Sequence, residues 1–131
     1  MSFDTEAQDY YIFMMDFDGT HHRLLADAPC YNVAPVFTPE GDKIIFRSNR
    51  IQAYDIYEMG LEGEMQTNLT DRPGHAYFCQ FVQDDSKILF HMDTGFYHKI
   101  WLMNRDGSRQ IQLTHGDGHD LYPQYRAITD P

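Results

Sequence analysis

Asp42-Lys43-Ile44-Ile45-Phe46 and Ser86-Lys87-Ile88-Leu89-Phe90 are one short strand written twice, 44 residues apart. Outward from that pair the offset holds. Asp55-Ile56-Tyr57 falls on Lys99-Ile100-Trp101, and Leu69-Thr70 falls on Leu113-Thr114, with Leu25-Ala26 one period earlier. Pro35, Cys79 and Pro123 open corresponding segments and are followed two residues on by Phe37, Phe81 and Tyr125. Gly19, Gly63 and Gly107 keep the same spacing, each closing an Asp-Gly or Glu-Gly turn where a positive φ is cheapest for glycine. A fixed period of this kind marks a repeat architecture, whose units bury their apolar faces on one another.

Turn residues recur about every eight to twelve positions, and no stretch holds helical apolar spacing over three turns. Each period therefore reads as four strands. In the middle repeat these are Val33–Thr38, Lys43–Ser48, Tyr54–Gly60 and Gln66–Thr70; in the next, Tyr77–Val82, Lys87–Met92, Lys99–Asn104 and Gln110–Thr114. Tyr11–Asp16 and His22–Leu25 supply the last two strands of an earlier repeat, and Leu121–Arg126 the first strand of a later one. Four short antiparallel strands in about 40–45 residues make a β-propeller blade. The expected fold is all-β: a partial propeller domain over 1–131, with about three blades' worth of chain. It divides into a blade end at 1–29, blades at 30–73 and 74–117, and the first strand of a shared blade at 118–131.

The two ends are complementary parts of one blade, although Ser2–Ala7 reads poorly as its second strand. Three blades are too few to close a ring. The chain is then a piece of a longer propeller or one half of a homodimer, and the homodimer is favoured because closed cyclic assemblies hide strand edges.

Pro35-Val36-Phe37-Thr38-Pro39-Glu40-Gly41-Asp42, followed by Asp55-Ile56-Tyr57 and Leu69-Thr70, resembles the TolB-type β-propeller repeat. Phe81-Val82-Gln83-Asp84-Asp85 is a degraded copy lacking Pro and Gly. The resemblance runs from about residue 10 to 125. It implies a six-bladed ring and a periplasmic location; the cytoplasm remains open, since MSFDTEAQDYY is no secretion signal.

Composition narrows the partners. Twenty acidic residues against ten basic ones give a formal charge of −10, which argues against a nucleic-acid backbone as ligand. No run of apolar residues is long enough to span a membrane as a helix. Cys30 and Cys79 are too few for a disulfide framework, and both suit small core thiols. Aromatic content of 15% suits a packed chain, with Phe46, Tyr57, Phe90 and Trp101 at strand positions between blades.

In a propeller the fourth-to-first and second-to-third strand connections emerge on one face. That frame places His75, His115 and His119 in the first set of loops, and His98 with Asp93 at the second. His75 and His119 are one period apart, and with His115 they could converge on a divalent cation such as Ca or Mn, with Asp120 nearby. The alternative for a blade-entry histidine is a hydrogen bond to a loop carbonyl. Arg50 joins His75, His98, Asp93, His119 and Asp120 as candidates for a ligand-binding face, while His21, His22 and His91 fall outside it as surface or strand residues.

Gly74-His75-Ala76-Tyr77-Phe78, Ile88-Leu89-Phe90-His91 and Gly118-His119-Asp120 partly resemble oligogalacturonate lyases. That resemblance implies histidines, a divalent metal and a base acting on acidic oligosaccharides, with Arg47, Arg50 and Arg72 available to hold the polyanion. The first expectation is a non-catalytic module that binds a protein or a small ligand; the metal-dependent lyase is the alternative. Asn68-Leu69-Thr70 and Asp16-Phe17-Asp18-Gly19-Thr20 imitate a glycosylation sequon and a phosphotransferase motif, but their repeat register marks them as strand and turn.

Overall fold

The computed structural model describes residues 9–120 apart from Phe96 and Asp117, and only the backbone of Cys79. The described residues form ten strands and no helix: β1 (Ile12–Met14), β2 (Arg23–Ala26), β3 (Asn32–Phe37), β4 (Lys43–Ile51), β5 (Ala53–Gly60), β6 (Thr67–Asn68), β7 (His75–Val82), β8 (Lys87–Asp93), β9 (His98–Asn104) and β10 (Ile111–Gln112). They pair as β1-β2, β3-β4-β5-β6 and β7-β8-β9-β10, each an antiparallel meander. These are two four-stranded blades and the second half of a third. The expected strands at Ser2–Ala7 and Leu121–Arg126 lie outside the described residues.

The fourth strands are shorter than the expected Gln66–Thr70 and Gln110–Thr114, because a side chain takes over from the ladder. Leu69 and Leu113 still donate backbone N–H groups to the carbonyls of Ile56 (2.7 Å) and Ile100 (2.8 Å). One residue on, the Thr70 and Thr114 hydroxyls accept the N–H of Ile56 (3.1 Å) and Ile100 (3.0 Å). The Thr70 hydroxyl in turn donates to the Asp55 carboxylate at 2.7 Å. The recurring Leu-Thr pair is thus a clamp on the third strand of its own blade, completed by Asp55 in the middle blade and by Asp120, bonded by Thr114, in the last.

The core lies between blades. Ile12, Leu25 and Ala26 of the half blade bury against Ile44, Phe46, Tyr57 and Met59 of the middle blade. Ile45, Ile56 and Leu69 repeat that contact on Ala76, Ile88, Phe90, Met92 and Met103. The Phe46–Tyr57 and Phe90–Trp101 ring pairs occupy equivalent places, at centroid distances of 5.6 and 6.2 Å. Each boundary is closed at its edge by a turn. Gly63 (φ +81°) and Gly107 (φ +88°) run so close beneath the carbonyls of Leu25 and Leu69 that an added Cβ would collide with them. Gln66 and Gln110 donate to those same carbonyls, at 3.0 and 3.2 Å.

Candidate functional site

The antiparallel meanders bring the β4–β5 and β8–β9 hairpins to one end of the blades, together with the β2–β3 and β6–β7 connections. At that end the repeat preserves a pair of rings. Tyr10 meets Tyr31, Tyr54 meets His75, and His98 meets His119, with centroids 4.9, 5.8 and 5.5 Å apart. Successive pairs are 44 residues apart at both members. The N–H groups of Tyr54 and His98 donate to Nδ1 of His75 and His119, both at 3.2 Å. The blade-entry histidines therefore accept from a backbone N–H through Nδ1, where the sequence suggested a hydrogen bond to a loop carbonyl.

A second set of groups links the pairs across the blade boundary. The Arg47 guanidinium on β4 sits between the Tyr54 and Tyr77 rings, 4.3 and 3.9 Å from their centroids, and its Nε donates to the Ala76 carbonyl of the last blade at 3.1 Å. Tyr77 stacks on His91 at 4.6 Å with the planes 4° apart. His91 Nδ1 lies 3.3 Å from His98 Nδ1, and His98 Nε2 lies 3.4 Å from the Asp93 carboxylate. Lys99 pairs with Asp120 at 3.0 Å, and its ammonium is 5.4 Å from the Tyr97 ring.

Burial sets the electrostatics of this chain of rings. His91 is only 3% exposed, and burial pushes its pKa down to about 4, helped by His98 and Arg47 and opposed by Asp93. Burial also lowers the Arg47 pKa, against the nearby Tyr77 and Tyr54 hydroxyls. Hydrogen bonds from Lys99 and then Thr114 hold the Asp120 carboxyl below the usual carboxylate range. The opposite end of the blades is the acidic one, its turns carrying Asp18, Glu40, Asp42, Glu62, Asp84 and Asp106.

Of the expected site residues, the structure brings His75, Asp93, His98, His119 and Asp120 to this end. Arg50 is at this end too, but its guanidinium is occupied: it donates to Ser48 Oγ (3.0 Å) and Asn32 Oδ1 (3.1 Å) and lies 4.5 Å from the Tyr57 ring. Arg72 is likewise occupied, by Gln110 and the Trp101 ring. His115 is exposed. Among the described residues no three His, Cys, Asp or Glu side chains are placed to hold a metal ion, so His75, His115 and His119 do not form the expected trio. Their donor chemistry fits Ca poorly as well, since that hard cation takes oxygen ligands, and Nδ1 of His75 and His119 is already occupied by a backbone donor.

His91 is a strand residue, as expected, and Arg47 lies at the expected face. What sequence reasoning missed is that the two form the centre of the ring chain. The signal was present: Arg47 and His91 are one period apart, and each lies two residues from the end of the alternation that also carries Asn49 and Asp93. Asn68, in the apparent sequon, donates to Asp55 at 3.0 Å and belongs to the strand clamp.

The family model for the TolB beta propeller domain matches residues 1–130. Among solved structures, a putative TolB from Agrobacterium tumefaciens is similar with a TM-score of 0.69 and 23% identity, over 78% of this chain and 40% of that one. TolB from Acinetobacter baumannii gives 0.70 and 20% identity, over 85% of this chain and 28% of that one. The chain thus spans less than half the length of either structure, and at these identities the likeness concerns the fold alone. No curated protein matches the chain. No described helix is long and apolar enough to cross a membrane.

Proposed function

We propose that this chain, which belongs to the TolB beta propeller domain family, is a non-catalytic binding and assembly module that takes a protein partner on its ring-bearing end and works as a homodimer. One observation carries the reading. From Tyr54 through Arg47, Tyr77, His91 and His98 to His119, ring and cation contacts run without a break across the blade boundary. With His91 buried beneath them, the partly exposed Arg47, Tyr54, Tyr77 and His98 and the exposed His119 offer amphipathic contact area at little entropic cost, which suits a protein-binding surface. Each is held in place by its neighbours, so the surface is preorganised for contact. On the family resemblance the module works in the periplasm, which fractionation of the producing cells checks.

The test is selection from a random peptide library on the immobilised full chain. Binders are expected, and His98→Ala and Tyr77→Ala should weaken them tenfold or more while Arg109→Ala leaves them unchanged. Binders indifferent to both end-face substitutions would sink the proposal. A lyase is tested separately: acidic oligosaccharide with divalent metal should give no new ultraviolet absorbance.

A further inference from the structure

Arg47 carries a partly buried charge with which no carboxylate pairs among the described residues. Arg23, Lys43, Lys99 and Arg105 each have one, at Glu62, Glu58, Asp120 and Glu40. Arg50 and Arg72 bond side-chain oxygens of Ser48, Asn32 and Gln110 instead, and Arg109 is exposed. Around Arg47 there are two tyrosine rings, at 4.3 and 3.9 Å, and the bond from Nε to the Ala76 carbonyl at 3.1 Å. These contacts fix the guanidinium plane and leave its charge unneutralised, while burial works against that charge. The side chain is still partly exposed, so a counterion can reach it from solution.

His75 adds a donor beside the same Tyr54 ring. Its Nδ1 accepts the Tyr54 N–H, so the neutral imidazole carries its proton on Nε2, and that N–H meets no acceptor among the described residues. The imidazole and the guanidinium lie 5.8 and 4.3 Å from the Tyr54 ring centroid. A fixed cation and a neutral donor on one ring call for an anionic acceptor. We propose that the protein partner presents an Asp or Glu side chain here, its carboxylate pairing with the Arg47 guanidinium and accepting from His75 Nε2. The inference rests on the binding reading above and names the chemistry of what binds. A planar guanidinium matches the two oxygens of a carboxylate. A chain-terminal carboxylate suits the site less, because such groups are captured by free backbone N–H groups and that of Tyr54 is taken by His75. Asp93 stands directly across the β7–β8 ladder from His75, which disfavours a doubly charged phosphate. The pairing also runs against the bulk charge of −10, which by itself would select Lys- and Arg-rich partners.

Peptides selected from the random library on the full chain test this, in about 0.15 M salt, where charges more than about 8 Å apart are screened. The enriched sequences are expected to share an Asp or Glu. Changing that residue to Asn or Gln in the synthetic peptide should weaken binding to the native chain about tenfold or more, and amidating the peptide C-terminus should change nothing. Arg47→Gln should weaken the parent peptide by a similar factor, and against that variant the peptide's own substitution should cost less than about twofold. The peptide substitution needs no altered protein, so it decides the matter even where Arg47→Gln fails to fold. Lys- or Arg-rich binders, acidic binders indifferent to loss of their carboxylate, or a loss of binding on amidation would each overturn the proposal. Binders that need Tyr77 and His98 but no carboxylate would leave the binding reading standing while this pairing fell. No binders at all, or binders indifferent to Tyr77→Ala and His98→Ala as well, would remove both.

Discussion

His91 lies beneath Tyr77 and against His98, with Arg47 and Asp93 the charged groups that face it. Its pKa of about 4 in the fold compares with about 6.5 in an unfolded chain. Between those values the unfolded state binds a proton that the folded state refuses. Stability therefore falls as pH drops through 6.5 toward 4 and levels off below, by at most about 3 kcal/mol from this group. Urea unfolding at several pH values should show that slope, and His91→Gln should flatten it between about pH 6.5 and 4. A slope unchanged by the substitution would assign the acid sensitivity elsewhere. A second residue-scale consequence sits in the degraded motif. Gln83, Asp84 and Asp85 all have positive φ (52°, 54° and 62°), and Asp85 stands one period after Gly41 at 73°. Asp85→Gly should relieve strain and stabilise by about 1 kcal/mol, raising Tm by roughly 4 °C in a thermal melt. At this scale the sequence was least legible. The period marks which positions are equivalent, but the side chain at an equivalent position differs, and whether an imidazole is surface or centre depends on what the next blade lays over it.

Among the elements, the strands and their order could be read from the letters because each is short, alternates, and ends at a turn residue whose conformational reason is local. The fourth strands, Thr67–Asn68 and Ile111–Gln112, are shorter than the letters suggest because a hydroxyl in place of a ladder bond looks the same in sequence as one more strand residue. The bulges in β3 and β7, between Val33 and Val36 and between Phe78 and Gln80, left no trace that single-sequence reading could use. The turns that close the blade boundaries were legible as glycines, but not their role beneath the preceding blade. That role sets a test. Gly107→Ala must both hold φ at +88° and displace the Leu69 carbonyl, which also accepts from Gln110. The expected cost is about 2–3 kcal/mol. Gly41→Ala, at φ +73° with open space around it, should cost only about 1 kcal/mol. Chemical denaturation of the two variants side by side separates the close approach from the backbone conformation; equal costs would mean that the carbonyl above Gly107 moves aside freely.

For the whole molecule, stability in a stacked repeat is a sum of unit and boundary terms, so one substitution made at equivalent positions measures each boundary in turn. Leu25, Leu69 and Leu113 form such a series. Leu25→Ala and Leu69→Ala each remove a side chain buried in a boundary cluster and should cost about 2–4 kcal/mol. Leu113, half exposed in the single chain, should cost less than about 1 kcal/mol when the protein is dilute. If the proposed homodimer forms through this face, that small cost is a property of dilution alone. Raising the concentration through the dimerisation range adds the association free energy to the wild type and withholds it from Leu113→Ala, so the measured difference should climb toward the Leu69→Ala value. Unfolding curves at two protein concentrations about a hundredfold apart give the comparison. A Leu113→Ala cost that stays small at both would mean that the outer leucine face takes no part in a homodimer.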